Sequence, residues 1–214
     1  MSELHTYITL LAIPVYAYIL GSIPFGVILT KALGKGDVRK VGSGNIGATN
    51  VARVAGLAAG VFTLLLDVAK GAGAVSLAEQ LSNDSATWMM IAGLAALIGH
   101  CFPVWLNFKG GKGVATAAGA FLVLSPLACL GALLLFLLVV IFWRYVSLGS
   151  VSAAAAMPLL IYFLWAPRHA PPLAVTIGAL AGALLIIYKH RGNLRRLIEG
   201  REPKFSFSKN KDTE

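Results

Sequence analysis

Apolar residues run along this chain in long blocks, not at the spacing of a helix or strand with one face in water. Five blocks stand out, at roughly residues 6–30, 56–77, 86–106, 146–165 and 172–188. Each approaches the roughly 20 residues an α-helix needs to cross the hydrocarbon core of a bilayer, and each predicts a transmembrane helix. A further block, VATAAGAFLVLSPLACLGALLLFLLVVIFW (114–143), is too long for one ordinary span and has Ser125-Pro126 in its middle. Proline lacks a backbone donor and disfavours helix at the residue before it, so this block predicts two helices with a break there. The first of the two, 114–124, would be only about 17 Å long at about 1.5 Å per residue.

Composition agrees with the blocks. The chain is 57% hydrophobic and 13% charged, against about 25% charged in soluble domains. The expected fold class is therefore all-α, a polytopic integral membrane protein forming a single domain over 1–204. Residues 205–214 read as a polar, flexible tail. Before Lys31 there is no Lys or Arg, only Glu3, so the first block lacks the basic flank of a secretory signal and reads as a retained helix. Cys101 and Cys129 lie in apolar surroundings without metal-ligand or disulfide spacing, and read as small core residues.

The distribution of charge predicts orientation. Lys31, Lys35, Arg39, Lys40 and Arg53 lie in the first polar loop, Lys109 and Lys112 follow the third block, and Arg144 follows 114–143. A dense basic group closes the chain from Lys189 to Lys211, whereas the loop at 78–86 has only Glu79 and Asp84. Basic loops stay in the cytoplasm. If 114–143 crossed once, Arg144 and the basic tail would lie outside; if it crosses twice, all basic loops except Arg168 lie inside. About seven spans follow, with the N-terminus outside and the C-terminus cytoplasmic. The net charge of +9 is then a topological signal, and nucleic acid is not expected as a partner.

The polar segments that carry chemistry all fall on that cytoplasmic side: 35–56, 99–116, 144–150 and 190–197. GSGNIG (42–47) fits the dinucleotide pattern G-x-G-x-x-G, and Asp67 even lies about 20 residues on. No strand precedes it and Asp67 falls inside an apolar block, so a Rossmann fold is excluded. The same Gly42, Gly44 and Gly47 can form a nest of N–H groups around an anion, joined by Ser43, Asn45, Asn50 and Arg53. FKGGKG (108–113) is not a Walker loop, since Gly113 follows Lys112. Its Lys109 and Lys112, set among Gly110 and Gly111 before a helix start at Val114, still suit a phosphate. His190 and Asn193 stand about one turn apart, and Ser147 and Ser150 share a helix face. Arg191, Arg195 and Arg196 read as headgroup contacts. Asp67 and Lys70 sit at i, i+3 inside an apolar block, either as a structural ion pair or as part of a site. His100 is placed to orient the lysine loop.

GSIPFG, GSGNIGATNVAR, LLLDVAKG, GHCFPVWLNFKGGKGVAT, RYVSLGS and HRGNLRRL occur in this order. Together they resemble the bacterial membrane-bound acyl-phosphate:glycerol-3-phosphate acyltransferase family over about residues 18–204. The resemblance implies a seven-span fold in the bacterial inner membrane, with the site on its cytoplasmic side. It implies transfer of a fatty acyl group from acyl phosphate to the 1-hydroxyl of glycerol 3-phosphate, giving lysophosphatidic acid and inorganic phosphate. It assigns Ser43, Arg53, Lys112, His190 and Asn193 to the glycerol phosphate, with Ser150 nearby. Gly42 to Gly47, with Asn45 and Asn50, would cradle the acyl-phosphate phosphate. Lys109, Gly110, Gly111, Ser147 and His100 are grouped with the substrate-binding residues. The implied partners are the two substrates and the lipid bilayer, with no metal, cofactor, CoA or acyl carrier protein, and the enzyme is expected as a monomer. A transporter of phosphorylated metabolites would use similar basic loops, but no inverted repeat relates the two halves.

Overall fold

A computed structural model of the protein describes residues 3–165 and 171–205. Arg168 and the tail residues 206–214 lie outside the described residues. The described residues form ten α-helices, two short 3₁₀ turns and no strand. In order these are α1 (Glu3–Ser22), α2 (Phe25–Ala32), α3 (Ala48–Ala55), α4 (Leu57–Leu81) and α5 (Ala86–Cys101), then α6 (Val114–Leu124), α7 (Pro126–Trp143), α8 (Val146–Leu164), α9 (Leu173–Lys189) and α10 (Arg191–Ile198).

Proline sets the breaks. Ser125 leaves the helical region at φ −153°, ψ 82°, and Pro126 starts α7 at its first position, where no donor is needed. The expected division of 114–143 is therefore present. The first block, expected as one helix over 6–30, is instead two, because Pro24 interrupts it. The third block stops at Cys101 ahead of Phe102-Pro103, earlier than the expected 106.

Five stretches are long and apolar enough to cross a membrane, and a sixth if α9 and α10, bent by 58°, count as one. The seventh apolar helix, α6, has 11 residues. It is too short to span alone and is buried among its neighbours, packing on α4, α5 and α7. In lipid there is no hydrophobic force between helices, so small residues that admit close backbones hold the bundle. A Cβ on Gly119 would lie 1.9 Å from the Val68 carbonyl oxygen, and one on Gly71 would lie 2.0 Å from that of Thr116. These two glycines let α4 and α6 touch. Gly21 and Gly99 do the same for α1 and α5, meeting Ala96 and Tyr18. Apolar residues are exposed along α1, α4, α7, α8 and α9, with α7 contributing Leu130, Leu133, Leu134, Ile141 and Phe142.

Inside this bundle Lys70 Nζ lies 2.9 Å from Asp67 Oδ1, with both side chains almost fully buried. The same ammonium donates to the Ile23 carbonyl at 2.9 Å, the group freed at the Pro24 break. His100 Nδ1 approaches Asp67 Oδ1 at 3.6 Å. The pair thus ties α4 to the α1–α2 break, with the His100 ring at the end of α5 packed beside it. Removing one member should leave an uncompensated buried charge, costing about 3–5 kcal/mol. Lys70→Met is expected to destabilise by that amount, and Asp67→Leu/Lys70→Met to recover at least half of it. Unfolding of the detergent-solubilised variants measures both.

Candidate active site

The glycine-rich loop is organised by one side chain. Asn50, on α3 and 1% exposed, accepts from the Ser43 N–H through Oδ1 at 2.9 Å. Its Nδ2 donates to the carbonyls of Val38, Val41 and Asn45 at 2.9–3.1 Å. The amide orientation follows from its partners, a donor on one side and acceptors on the other. Gly42 (φ 63°) and Gly44 (φ 70°) take left-handed backbone, and a Cβ on Gly42 would strike Asn50 Oδ1 at 2.3 Å. Asn45 Oδ1 accepts from the Gly47 N–H at 3.1 Å, leading the chain into α3.

This geometry alters two expectations. The N–H groups of Ser43, Gly44 and Gly47 are bonded within the loop, so these three are not free to point at an anion. Asn50 is engaged at both ends of its amide and serves as the loop's staple, not as a phosphate contact. Ser43 and Arg53 are exposed at the surface of this segment.

The lysine loop folds back on the end of α5. Gly111 N–H donates to the His100 carbonyl at 3.0 Å and Gly110 N–H to that of Cys101 at 3.2 Å. A Cβ on Gly111 would lie 2.1 Å from His100 Nε2, and one on Gly110 would lie 2.2 Å from the His100 oxygen. Gly110 and Gly111 therefore permit close packing and are not phosphate contacts. His100, 4% exposed, stands behind the loop and orients it. Gly113, at φ 81°, turns the chain into α6.

Lys112 then reaches across the bundle. Its Nζ donates to Asn193 Oδ1 of α10 at 2.5 Å. Burial pulls the Lys112 ammonium down to a pKa of about 8; Glu202 opposes this, while Arg196 and Arg53 add to it. The charge of Arg53, on α3, is felt at Lys112, while the Lys112–Asn193 bond joins the lysine loop to α10. Lys109 is exposed and does not join this cluster.

His190, just beyond the end of α9 and 3% exposed, places Nδ1 2.8 Å from the Ile186 carbonyl. A carbonyl only accepts, so Nδ1 carries the proton and Nε2 of the neutral ring is an acceptor. Burial lowers its pKa to about 4, against a smaller opposing contribution from the Ile186 bond. Ser150 donates to the Val146 carbonyl of its own helix at 2.8 Å.

Glu202, absent from the sequence-based candidates, is at the centre of the cluster. Its side chain is 7% exposed and accepts from Ser147 Oγ at 2.7 Å, Asn193 Nδ2 at 2.6 Å and Arg196 Nε at 2.7 Å. Arg196, expected at lipid headgroups, binds this carboxylate instead. No motif marks Glu202; the one signal is Gly200, at φ 68°, which ends α10 and turns the chain back. Lys112, Ser147, Asn193, Arg196 and Glu202 are therefore joined from loops and helix ends far apart in sequence, with Arg53 and His190 within electrostatic reach of Lys112.

The loop staple is testable. Asn50→Ala removes the acceptor of the Ser43 N–H and the donor to the Asn45 carbonyl, while the Val38 and Val41 carbonyls keep the backbone N–H groups of Val41 and Gly44; it is expected to cost about 2–4 kcal/mol. Thermal unfolding in detergent reads that cost. Asn50→Asp is expected to be worse, since it sets an acceptor against three carbonyls.

A family model described as glycerol-3-phosphate acyltransferase matches residues 11–200. The chain is 52% identical to the glycerol-3-phosphate acyltransferase of Syntrophotalea carbinolica, over 93% of this chain and 97% of that one. It is also similar to two crystal structures of PlsY (YgiH), an integral membrane glycerol 3-phosphate acyltransferase. The glycerol 3-phosphate form superposes with a TM-score of 0.85 at 41% identity, covering 92% of this chain and 96% of the other. The lysophosphatidic acid form gives 0.83 at 40%, covering 92% and 95%.

Proposed function

This chain belongs to the glycerol-3-phosphate acyltransferase family, and from that premise we propose that it moves a fatty acyl group from acyl phosphate to the 1-hydroxyl of glycerol 3-phosphate. The products are lysophosphatidic acid and inorganic phosphate. The observation that carries this reading is the contact between Lys112 and Asn193, beside Arg53 and His190. Charged and neutral donors from distant segments converge there at one end of a membrane bundle, as a soluble phosphate ester and an acyl-chain substrate together require.

In this reading Lys112, Arg53, Asn193 and Ser43 hold the phosphate of glycerol 3-phosphate, and His190 Nε2 accepts from the substrate. The 1-hydroxyl oxygen attacks the acyl carbonyl, the new C–O ester bond forms, and the bond from the acyl carbon to the phosphate oxygen breaks. Phosphate leaves with the bonding electrons. The hydroxyl proton goes to a substrate phosphate oxygen, not to His190. A phosphate monoester has a second pKa of about 6, which makes it a stronger base than an imidazole of pKa about 4. The protein supplies proximity and neutralises charge. An acyl phosphate is already activated, so neither CoA nor acyl carrier protein enters the reaction. The distribution of basic segments supports a site on the cytoplasmic side of the bacterial inner membrane and an outside N-terminus, and a seventh crossing would require the short α6 to pass where the bilayer is thinned. The enzyme is proposed to act as a monomer.

Purified protein in detergent, given acyl phosphate and radiolabelled glycerol 3-phosphate, is expected to yield lysophosphatidic acid. Product only from acyl-CoA would overturn the donor assignment. The charge state of Lys112 supplies a second check. The ammonium is the phosphate-binding form, so its contribution is present below about pH 8 and lost as pH rises through that value. The kcat/KM for glycerol 3-phosphate should fall on this alkaline limb. Lys112→Arg stays charged and should abolish the limb, even if its plateau activity is lower.

A further inference from the structure

We infer that Glu202 is a positioning residue, whose carboxylate fixes the amide of Asn193 and through it holds the Lys112 ammonium at the phosphate site. This rests on the reading of Lys112 and Asn193 as glycerol 3-phosphate contacts. A carboxylate only accepts, and Glu202 Oε1 takes both the Asn193 Nδ2 donor and the Ser147 hydroxyl, at 2.6 and 2.7 Å. The amide oxygen of Asn193 must then face Lys112 Nζ, where it lies 2.5 Å away. A flipped amide would set donor against donor at Lys112 and acceptor against acceptor at Glu202. Lys112 gives one of its three N–H bonds to Asn193, leaving two for a phosphate.

Backbone bonds place the carboxylate. After Gly200 the N–H groups of Arg201 and Glu202 donate to the Arg196 carbonyl at 2.7 and 3.1 Å. Three residues on, Phe205 N–H donates to the Arg144 carbonyl at 2.6 Å, and Arg144 Nε returns a bond to the Phe205 carbonyl at 3.1 Å. Residues 201–205 thus form a strap fixed at both ends, across the start of α8. Ser147 lies in the first turn of that helix, where a negative charge is favoured. The charged and titratable groups facing Lys112 are Arg53 from α3, Arg196 from α10, His190 from the end of α9, and Glu202. Glu202 is the anion among them and raises the Lys112 pKa.

The test uses the full chain in detergent, comparing wild type, Glu202→Gln and Glu202→Asp for turnover and for binding of radiolabelled glycerol 3-phosphate across pH. For Glu202→Gln, KM and Kd for glycerol 3-phosphate should rise roughly ten- to a hundredfold, with a smaller change in kcat. Its alkaline limb should move to lower pH, because Lys112 loses the charge that keeps it protonated. Glu202→Asp retains the charge but withdraws it by one methylene, so the limb should stay in place while KM rises. Unchanged KM and limb in both variants overturns the inference. So does a lowered KM in Glu202→Gln, which would make the carboxylate a stand-in that substrate phosphate displaces. If Glu202→Gln does not fold, the Asp variant decides alone, and a KM within about twofold of wild type overturns the assignment. Wild type that binds glycerol 3-phosphate but makes no product from acyl phosphate refutes the donor assignment, while the Kd values still judge Glu202. Wild type that binds none overturns both.

Discussion

The buried Asp67–Lys70 pair is the contact on which the rest of the structure depends. A chain break inside a bilayer frees backbone groups that no water can satisfy. Pro24 makes such a break, and the Lys70 ammonium satisfies the Ile23 carbonyl there. An ammonium at that depth is costly, by roughly 3 kcal/mol even on insertion scales, unless an anion accompanies it. Asp67 supplies that anion one helical turn earlier on the same helix. Its second neighbour, His100, carries the backbone carbonyl onto which Gly111 closes. Lys112 is the next residue. The core pair, the His100 ring beside it and the Gly111 bond to the His100 carbonyl thus form one packed column that ends where Lys112 begins its reach.

Much of the fold was legible in the sequence, because the bilayer acts as a strict solvent. It requires long apolar helices with internal hydrogen bonds, and proline acts locally, so the helices and the Ser125-Pro126 break follow from composition and one residue. The Ile23-Pro24 break rests on the same chemistry but lay hidden in an unbroken apolar block. The short helices α3 and α10 are strongly amphipathic, but each has only eight residues, about two turns, too few for the pattern to stand out within a polar segment. The candidate site was legible as chemistry more than as duties. Lys112, Asn193, His190, Arg53 and Ser147 share a neighbourhood, as their types suggested. Asn50, Gly110, Gly111 and Ser150 face backbone atoms instead, and sequence shows no carbonyl. Glu202 was missed because its partners lie 6, 9 and 55 residues away.

Two hubs with opposite chemistry stabilise the two halves of the cluster. Asn50 is neutral and can both donate and accept, which suits a loop that presents it with the Ser43 N–H on one side and the carbonyls of Val38, Val41 and Asn45 on the other. An ionised group there would satisfy one kind and repel the other. Glu202 sits among donors alone, two of them neutral and one a guanidinium. Burial alone would raise its pKa, but the bonds from Asn193, Ser147 and Arg196 outweigh that and the net shift is downward. The residue type at each hub is thus the one its ring of partners requires.

The balance of charge then limits what the cluster can hold. Arg53, Lys112 and Arg196 bring three positive charges close together, and Glu202 offsets one, mainly through Arg196. Without an anion nearby, burial and two neighbouring cations would push Lys112 toward its neutral form, which binds no phosphate. An anion in direct contact with Lys112 would do the opposite, keeping it charged but occupied. Glu202 instead contacts Lys112 through the Asn193 amide. That neutral spacer lets the carboxylate support the charge without claiming the ammonium. The excess of positive charge that remains is what a phosphate dianion can neutralise.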